Sequence, residues 1–227
     1  MTHGIDGGPG TAMDHGRAIA ASGRFEEVRI GCIKGSPDLA AALDGAPDPV
    51  CIVPLLMAEG FIHELMLHRL AELPKAGLRR VAAPVGRHPG LARLIWRKAE
   101  AACLEQDWFM DRTALLLVGH GTPRHRGSAD AACEQMRRLQ DAGRFAATGA
   151  AFLEEPPSPA EAAAGLPGEC LVAVGLFLDN GPHGEDDVRA ALASLDRPYH
   201  YTGAIGADPA LVPLILDQAE AALLVAA

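Results

Sequence analysis

Aromatic side chains are scarce in this sequence, 4% of residues against 49% for hydrophobic residues as a whole. Alanine, leucine, valine and isoleucine therefore have to build the core, which suits helices packed on a sheet better than an aromatic-rich β-sandwich. Paired cysteines are also missing. The five cysteines, Cys32, Cys51, Cys103, Cys133 and Cys170, stand singly, with no Cys-x-x-Cys. That spacing argues against a zinc ribbon, an iron–sulfur cluster or a disulfide framework. Cys32, Cys51 and Cys170 lie in apolar runs and read as small buried hydrophobes. There is no basic tail or basic helix, and the net charge is -9, so nucleic acid is not an expected partner. No apolar run reaches the ~18–20 residues of a membrane span. The first residues, Met1 to Asp6, lack the basic and apolar regions of a signal peptide, so no membrane is expected and the cytoplasm is the expected compartment. No Lys-Ser/Thr follows the glycines of residues 4–10, no serine or cysteine sits in a nucleophile elbow, and no Gly-x-Gly-x-x-Gly opens a helix.

What the chain does have is Ala114–Thr122, Ala-Leu-Leu-Leu-Val-Gly-His-Gly-Thr. An unbroken apolar run predicts a strand covered on both faces, as in a parallel sheet. The glycines on either side of His120 allow a sharp turn, with the histidine at its tip. In open α/β sheets ligands bind beyond the carboxyl ends of the strands, where His120 would stand.

Strand and helix patterns alternate along the 227 residues. A helix is predicted over about 12–22, a strand at Val28–Ile33, and a short helix at Pro37–Leu43 with Ser36 as N-cap. Then follow strand Val50–Met57, helix Phe61–Leu73, strand Arg79–Val85 and helix Pro89–Glu105. The second half repeats the order: strand Thr113–Gly119, helix Ser128–Leu139, strand Ala146–Glu154, helix Ala160–Gly165, strand Cys170–Leu178, helix Glu185–Leu195, strand Tyr199–Ile205 and helix Pro209–Leu224. Such alternation predicts βαβ units and parallel sheets.

The halves also match residue by residue. His3-Gly4 answers His120-Gly121, and Gly-Arg-Phe recurs at 23–25 and 143–145. Gly86 to Leu91 answers Gly206 to Leu211, and Ala99-Glu100-Ala101-Ala102 answers Ala219-Glu220-Ala221-Ala222. Two homologous α/β half-domains are predicted, residues 1–109 and 110–227, each with a four-stranded parallel sheet and with a cleft between them. Only two residues precede His3, so the strand expected before it is either lost or lies upstream of Met1, and His3 is expected to be weakly anchored.

Three residues of the second half fall at the carboxyl ends of successive strands: His120, Glu154 and His183. Two imidazoles and a carboxylate converging on one sheet edge suit a divalent metal, and histidine also accepts protons near neutral pH. Taken singly, each has an ordinary reading as a solvated turn histidine or a helix-start glutamate. Arg124, His125 and Arg126 add local basic charge beside His120, suited to carboxylates on a substrate or simply to a solvated turn. His63 and His68 are five apart, wrong for a helical metal pair. Glu185, Asp186 and Asp187 read as helix-start acids favoured by the dipole.

These pieces resemble the class II tetrapyrrole chelatases, the sirohydrochlorin cobaltochelatases and ferrochelatases of the CbiX/SirB group. The resemblance rests on Leu115 to Thr122, on Ala151 to Glu154 with Pro157-Ser158 following, and on Gly175 to His183, and it extends over the whole chain as a two-repeat form. It implies a chelatase-like pair of flavodoxin-like, Rossmann-like half-domains. It also implies a lyase that inserts Co²⁺ or Fe²⁺ into sirohydrochlorin, in cobalamin or sirohaem synthesis, with neither ATP nor an organic cofactor. His120, Glu154 and His183 would be its metal-binding and catalytic residues. Arg124 and Arg126, with Arg87, would hold the substrate carboxylates. The resemblance leaves room for a homodimer. The chain departs from the family at Gly175, where a proline is usual. In the first half Lys34 falls at the glutamate position and Ile62 at the second histidine position. A non-catalytic tetrapyrrole or metal carrier descended from a chelatase is the alternative reading.

Overall fold

The computed structural model describes residues 1–2, 10–74, 77, 79–123, 125 and 127–224. The chain divides into two compact units, residues 89–208 and residues 1–88 joined by 209–227.

The unit of residues 89–208 is built on Thr113–Gly119 (β3), whose seven residues are all buried. Strand β3 lies inside a parallel sheet with Ala147–Phe152 (β4), Cys170–Gly175 (β5) and Tyr199–Ala204 (β6), in the order β4-β3-β5-β6. A strand bonded on both edges and covered on both faces has no polar face to show, which explains its unbroken apolar run. On one face Ala114, Leu116 and Val118 join Ala151, Leu171, Ala173, Val188, Leu192 and Tyr201 in one core. Helix α4 (Leu91–Glu105) buries Leu91, Leu94, Ile95, Ala99, Ala102 and Cys103, a helical stripe that packs on β5, β6 and α5 (Gly127–Ala142). Two short helices, α6 (Pro159–Gly165) and α7 (Val188–Leu192), complete the unit. Ser158 caps α6 with a full capping box: its side chain accepts from Glu161 N, while the Glu161 carboxylate accepts from Ser158 N.

The other unit is an abbreviated version. Strands β1 (Val50–Ile52) and β2 (Arg79–Val81) form a two-stranded parallel sheet. Helices α1 (Ala12–Ala21), α2 (Leu39–Leu43), α3 (Phe61–Glu72) and α8 (Val212–Leu224) belong to the same unit, and α8 packs on β1, β2 and α1. The four-stranded sheet expected here is not present among the described residues. Residues 28–31 have no strand structure, and Cys32 makes only isolated bridges, to Thr2 and Asp38. Among the described residues, Thr2 N donates to Gly31 O at 3.0 Å and Leu55 N to Met1 O at 2.6 Å, and residues 28–31 have no strand neighbour along their length. The N-cap of α2 is Asp38, whose side chain accepts from Ala41 N at 2.8 Å, rather than Ser36.

The compact units also differ from the 1–109 and 110–227 division. Helix α4, which closes the first repeat, belongs to the unit of β3, and α8, which closes the second, belongs to the unit of β1. The link from α4 to β3 is short and tied down, with Trp108 N donating to Cys103 O at 2.8 Å and Thr113 Oγ1 to Phe109 O at 2.8 Å. A helix that runs so directly into a strand packs on that strand's own sheet. Among the described residues, no helix is long and apolar enough to cross a membrane. All five cysteines are free thiols; Cys32 and Cys103 are buried, while Cys51 and Cys170, read from the sequence as buried, are partly exposed.

Candidate functional site

Strand β3 ends at Gly119 and delivers His120 to the carboxyl edge of the sheet. The turn that follows needs Gly121, whose φ is +68° and whose added Cβ would lie 2.6 Å from Phe152 Cβ and 2.8 Å from Glu155 Cγ. The next residue is held by a side chain, Thr122 N donating to Glu155 Oε1 at 2.9 Å. The end of β4 is tied to the same place: Leu153 N and Glu154 N both donate to His120 O, at 3.1 and 3.0 Å. This backbone link brings the two candidate side chains together, with Nε2 of His120 3.7 Å from Oε1 of Glu154.

His183 arrives from the next strand end. Leu176 N donates to Val118 O at 2.7 Å, which locks the exit of β5 to β3. Asn180 Oδ1 accepts from Ala204 N at 2.7 Å, anchoring the following loop to the end of β6. His183 then opens a π-type turn, His183–Asp187, that runs into α7. Inside this turn the buried Tyr201 hydroxyl donates to Gly184 O. Burial, with Glu185 adding to it, pushes the Tyr201 pKa above its usual value, so the hydroxyl keeps its proton for that bond. The imidazoles of His120 and His183 meet edge to face, ring centroids 4.9 Å apart and planes at 73°.

Both histidines have one nitrogen engaged by an acceptor. Nδ1 of His120 is 2.9 Å from Gly121 O, and Nδ1 of His183 is 2.7 Å from Asp187 Oδ2. A carbonyl or carboxylate oxygen only accepts, so each neutral ring carries its hydrogen on Nδ1 and presents the Nε2 lone pair. Such an orienting bond behind a ligating imidazole is the usual device for fixing tautomer and ring direction at metal centres. Glu154 stands beside this pair, and all three side chains are solvent-accessible. Ligands about 2.0–2.2 Å from a shared metal lie roughly 3.3 Å apart, close to the His120–Glu154 separation. Among the described residues, no group of three or more His, Cys, Asp or Glu is placed to hold a metal ion. The arrangement is an open, solvent-accessible cluster of two imidazoles and a carboxylate.

The remaining sequence candidates sit elsewhere. Arg124, Arg126 and His3 lie outside the described residues. Arg87 is paired with Glu59 at 3.9 Å in the smaller unit. His63 is half-buried, and desolvation lowers its pKa, which keeps it neutral. His68 lies 3.6 Å from Glu72, one turn on along α3.

Four residues that the sequence reading did not single out hold the site: Asp187, Glu155, Asn180 and Tyr201. Asp187 had a signal, because it follows His183 by four residues at the start of a predicted helix, the spacing at which side chains meet. It had been read only as a helix-start acid. The other three make side-chain bonds to backbone across the fold and leave no local pattern.

The CbiX family model matches residues 114–222. A probable sirohydrochlorin cobaltochelatase of Halobacterium salinarum is 25% identical over 258 residues, covering 96% of this chain and 88% of the relative. The solved structure of CbiX, the terminal enzyme for biosynthesis of siroheme in denitrifying bacteria, is 33% identical with a TM-score of 0.74, covering 97% of this chain and 96% of that one. DR2241 from Deinococcus radiodurans, a multi-domain protein with structural similarity to chelatases, shares the fold at a TM-score of 0.75 and 22% identity; this chain is covered to 96% but spans only 52% of that protein. With identity above 30% along nearly the full length of a solved member, the chain belongs to the CbiX family of class II tetrapyrrole chelatases.

Proposed function

We propose that this protein inserts a divalent metal, Co²⁺ or Fe²⁺, into a sirohydrochlorin-type macrocycle without ATP. The observation that carries the reading is the convergence of His120, Glu154 and His183 at one sheet edge, with both Nε2 lone pairs presented. The names of the relatives support the same substrate: one is a probable sirohydrochlorin cobaltochelatase and another acts in siroheme synthesis.

Metal insertion exchanges two pyrrole N–H protons for one M²⁺, so the reaction needs a place for the metal and acceptors for two protons. His120 and His183 take the incoming ion through Nε2 in place of part of its water shell, and Glu154 offsets its charge. As the metal passes to the four ring nitrogens, the same imidazole and carboxylate groups become free to accept the released protons. The open coordination matters, since a closed four-ligand site would hold the ion rather than surrender it. Arg124 and Arg126, next to His120 in the chain, are proposed to bind substrate carboxylates through forked hydrogen bonds. The matching positions of the first repeat hold Lys34 and Ile62, neither a carboxylate nor an imidazole, so the reaction is assigned to the second repeat.

The test mixes purified protein, sirohydrochlorin and Co²⁺ or Fe²⁺ and follows the change in macrocycle absorbance. The wild type is expected to accelerate insertion over the protein-free rate. His120→Ala and His183→Ala are each expected to lose about 100-fold or more, the scale of one acid–base group. An unchanged rate for His120→Ala would overturn the assignment. Tight macrocycle or metal binding with no acceleration would instead establish the carrier reading.

A further inference from the structure

The two imidazoles of the site are backed in different ways. Nδ1 of His183 meets a carboxylate directly, Asp187 Oδ2 at 2.7 Å. Nδ1 of His120 meets a backbone carbonyl, Gly121 O at 2.9 Å. That carbonyl belongs to the turn itself, so it can fix the ring only if its own peptide group is fixed.

The peptide is fixed from its other end. Gly121 C=O and Thr122 N–H are parts of one planar unit, in which a trans peptide points them in opposite directions. Thr122 N donates to Glu155 Oε1 at 2.9 Å. Drawing the N–H toward Glu155 therefore turns the carbonyl away from Glu155 and toward the ring. A hydrogen bond to a carboxylate is about twice as strong as one between neutral groups. The two bonds also polarise the shared peptide in the same sense, so each strengthens the other. The chain of contacts runs from His120 Nδ1–H to Gly121 O, across the peptide, and from Thr122 N–H to Glu155.

The local sequence is fitted to this contact. A Cβ at Gly121 would lie 2.8 Å from Glu155 Cγ and 2.9 Å from Glu155 Oε1, and φ there is +68°. Glycine both takes the turn and leaves the carboxylate its approach. The preceding peptide is held by the same segment, because Glu154 N donates to His120 O at 3.0 Å. Two adjacent glutamates thus face His120 from opposite sides. Glu154 is exposed, with its carboxylate 3.7 Å from Nε2. Glu155 is half-buried and reaches Nδ1 through one peptide group.

We propose that Glu155 is a positioning residue for His120, holding the 121–122 peptide so that the ring keeps its hydrogen on Nδ1 and turns the Nε2 lone pair toward Glu154. The value of this orientation for metal capture rests on the metal-insertion reading above. The orientation itself does not.

The test uses the full chain free of metal and macrocycle, as wild type and as Glu155→Ala, Glu155→Asp and Glu155→Gln. Glutamine keeps an acceptor at the same reach without the charge. Aspartate keeps the charge but is one methylene too short for the bond. Ring nitrogen chemical shifts of labelled histidine, read at about pH 9 and so well above the ordinary histidine range, report the tautomer of each neutral ring. His120 is expected as the Nδ1–H form in the wild type and in Glu155→Gln, and as a mixture in Glu155→Ala and Glu155→Asp. His183 is expected to stay Nδ1–H in all four. Calorimetric titration with Co²⁺ alone is expected to show about 10–100-fold weaker binding for the alanine and aspartate variants, the cost of losing an orienting partner, and near wild-type binding for glutamine. An Nδ1–H His120 in both Glu155→Ala and Glu155→Asp would overturn the proposal. So would wild-type behaviour of Glu155→Asp with loss in Glu155→Gln, because charge rather than the bond would then be acting. If the alanine variant does not fold, the aspartate and glutamine pair carries the same decision. The expected tautomer pattern without Co²⁺ binding by the wild type would support the positioning role and count against the metal reading.

Discussion

At the scale of single residues, the candidate site depends on side chains that orient its histidines rather than on the histidines alone. His183 lies outside the sheet, at the head of a turn, and its ring direction is set by the 2.7 Å bond from Nδ1 to Asp187. Removing that acceptor frees the ring to rotate and to take the other tautomer. Asp187→Ala is expected to weaken metal capture by about 10–100-fold, the usual cost of losing an orienting partner behind a ligating histidine, with little change in macrocycle binding. Asp187→Asn, whose carbonyl oxygen still accepts, is expected to lose less. Steady-state rates at varied metal and varied macrocycle separate the two effects, and equal losses in both parameters for Asp187→Ala would remove its orienting role. The thiols make a second residue-scale case. Burial pushes the pKa of Cys32, Cys51 and Cys103 above the ordinary value, so they hold little thiolate at neutral pH. Alkylation of the native protein at pH 7.5 is expected to leave Cys32 and Cys103 unlabelled until it is unfolded, as mass spectrometry of the labelled peptides would show.

At the scale of elements, β5 and β6 show how a departure from the family pattern is accommodated. A glycine at position 175 leaves room for Tyr201, since a Cβ there would run into the Tyr201 hydroxyl. That hydroxyl is the group that pins Gly184 O beside His183. Gly175→Ala is therefore expected to destabilise the protein by about 1–3 kcal/mol through overpacking, and Tyr201→Phe by about 1 kcal/mol through the lost hydrogen bond. The double variant should cost less than the sum, because the phenyl ring lacks the atom that clashes. Strict additivity in denaturant unfolding would show that the two residues do not share the space. This coupling was not legible in the sequence, where positions 175 and 201 are far apart and Gly175 stood out only as a departure. What was legible had short-range causes: the apolar run of β3, the alternation of strand and helix patterns in the second half, and the strand-end positions of His120, Glu154 and His183. The strand predicted at Val28–Ile33 failed for the opposite reason. Its residues favour a strand, but a strand needs a partner along its edge, and Met1 and Thr2 reach only its last residues.

At the scale of the whole molecule, the repeat and the compact units follow different rules. The matching residue pairs in the sequence suggest a division near residue 109, whereas packing assigns α4 to the sheet of β3 and α8 to the sheet of β1. The amino-terminal end gives a prediction about global stability. For a chain that begins at Met1, burial lowers the amino group's pKa from its ordinary value of about 8 to about 6 in the folded state. Between pH 6 and pH 8 the unfolded chain binds more protons at this group, so its contribution to stability rises with pH across that window. A two-unit difference corresponds to about 2.7 kcal/mol, absent in an amino-terminally acetylated chain. A wild-type minus acetylated difference that stays flat from pH 6 to pH 8 would place the amino group in water.

The division into units predicts which fragments fold. The fragment of residues 89–208 retains α4 with the four strands, so Leu91, Leu94, Ile95 and Ala99 stay covered. The fragment of residues 110–227, the homologous half, lacks α4 and leaves the matching face of β5 and β6 bare, while α8 loses its seat on β1 and β2. Exposing an apolar stripe of that size costs about 1.5–3 kcal/mol for each large side chain uncovered, comparable in sum to the whole stability of a small domain. The first fragment is expected to melt cooperatively and remain monomeric. The second is expected to aggregate or bind hydrophobic dye without a cooperative transition. Circular dichroism melts and dye binding on the two fragments decide it, and equal behaviour would mean that α4 contributes nothing the homologous half cannot supply for itself.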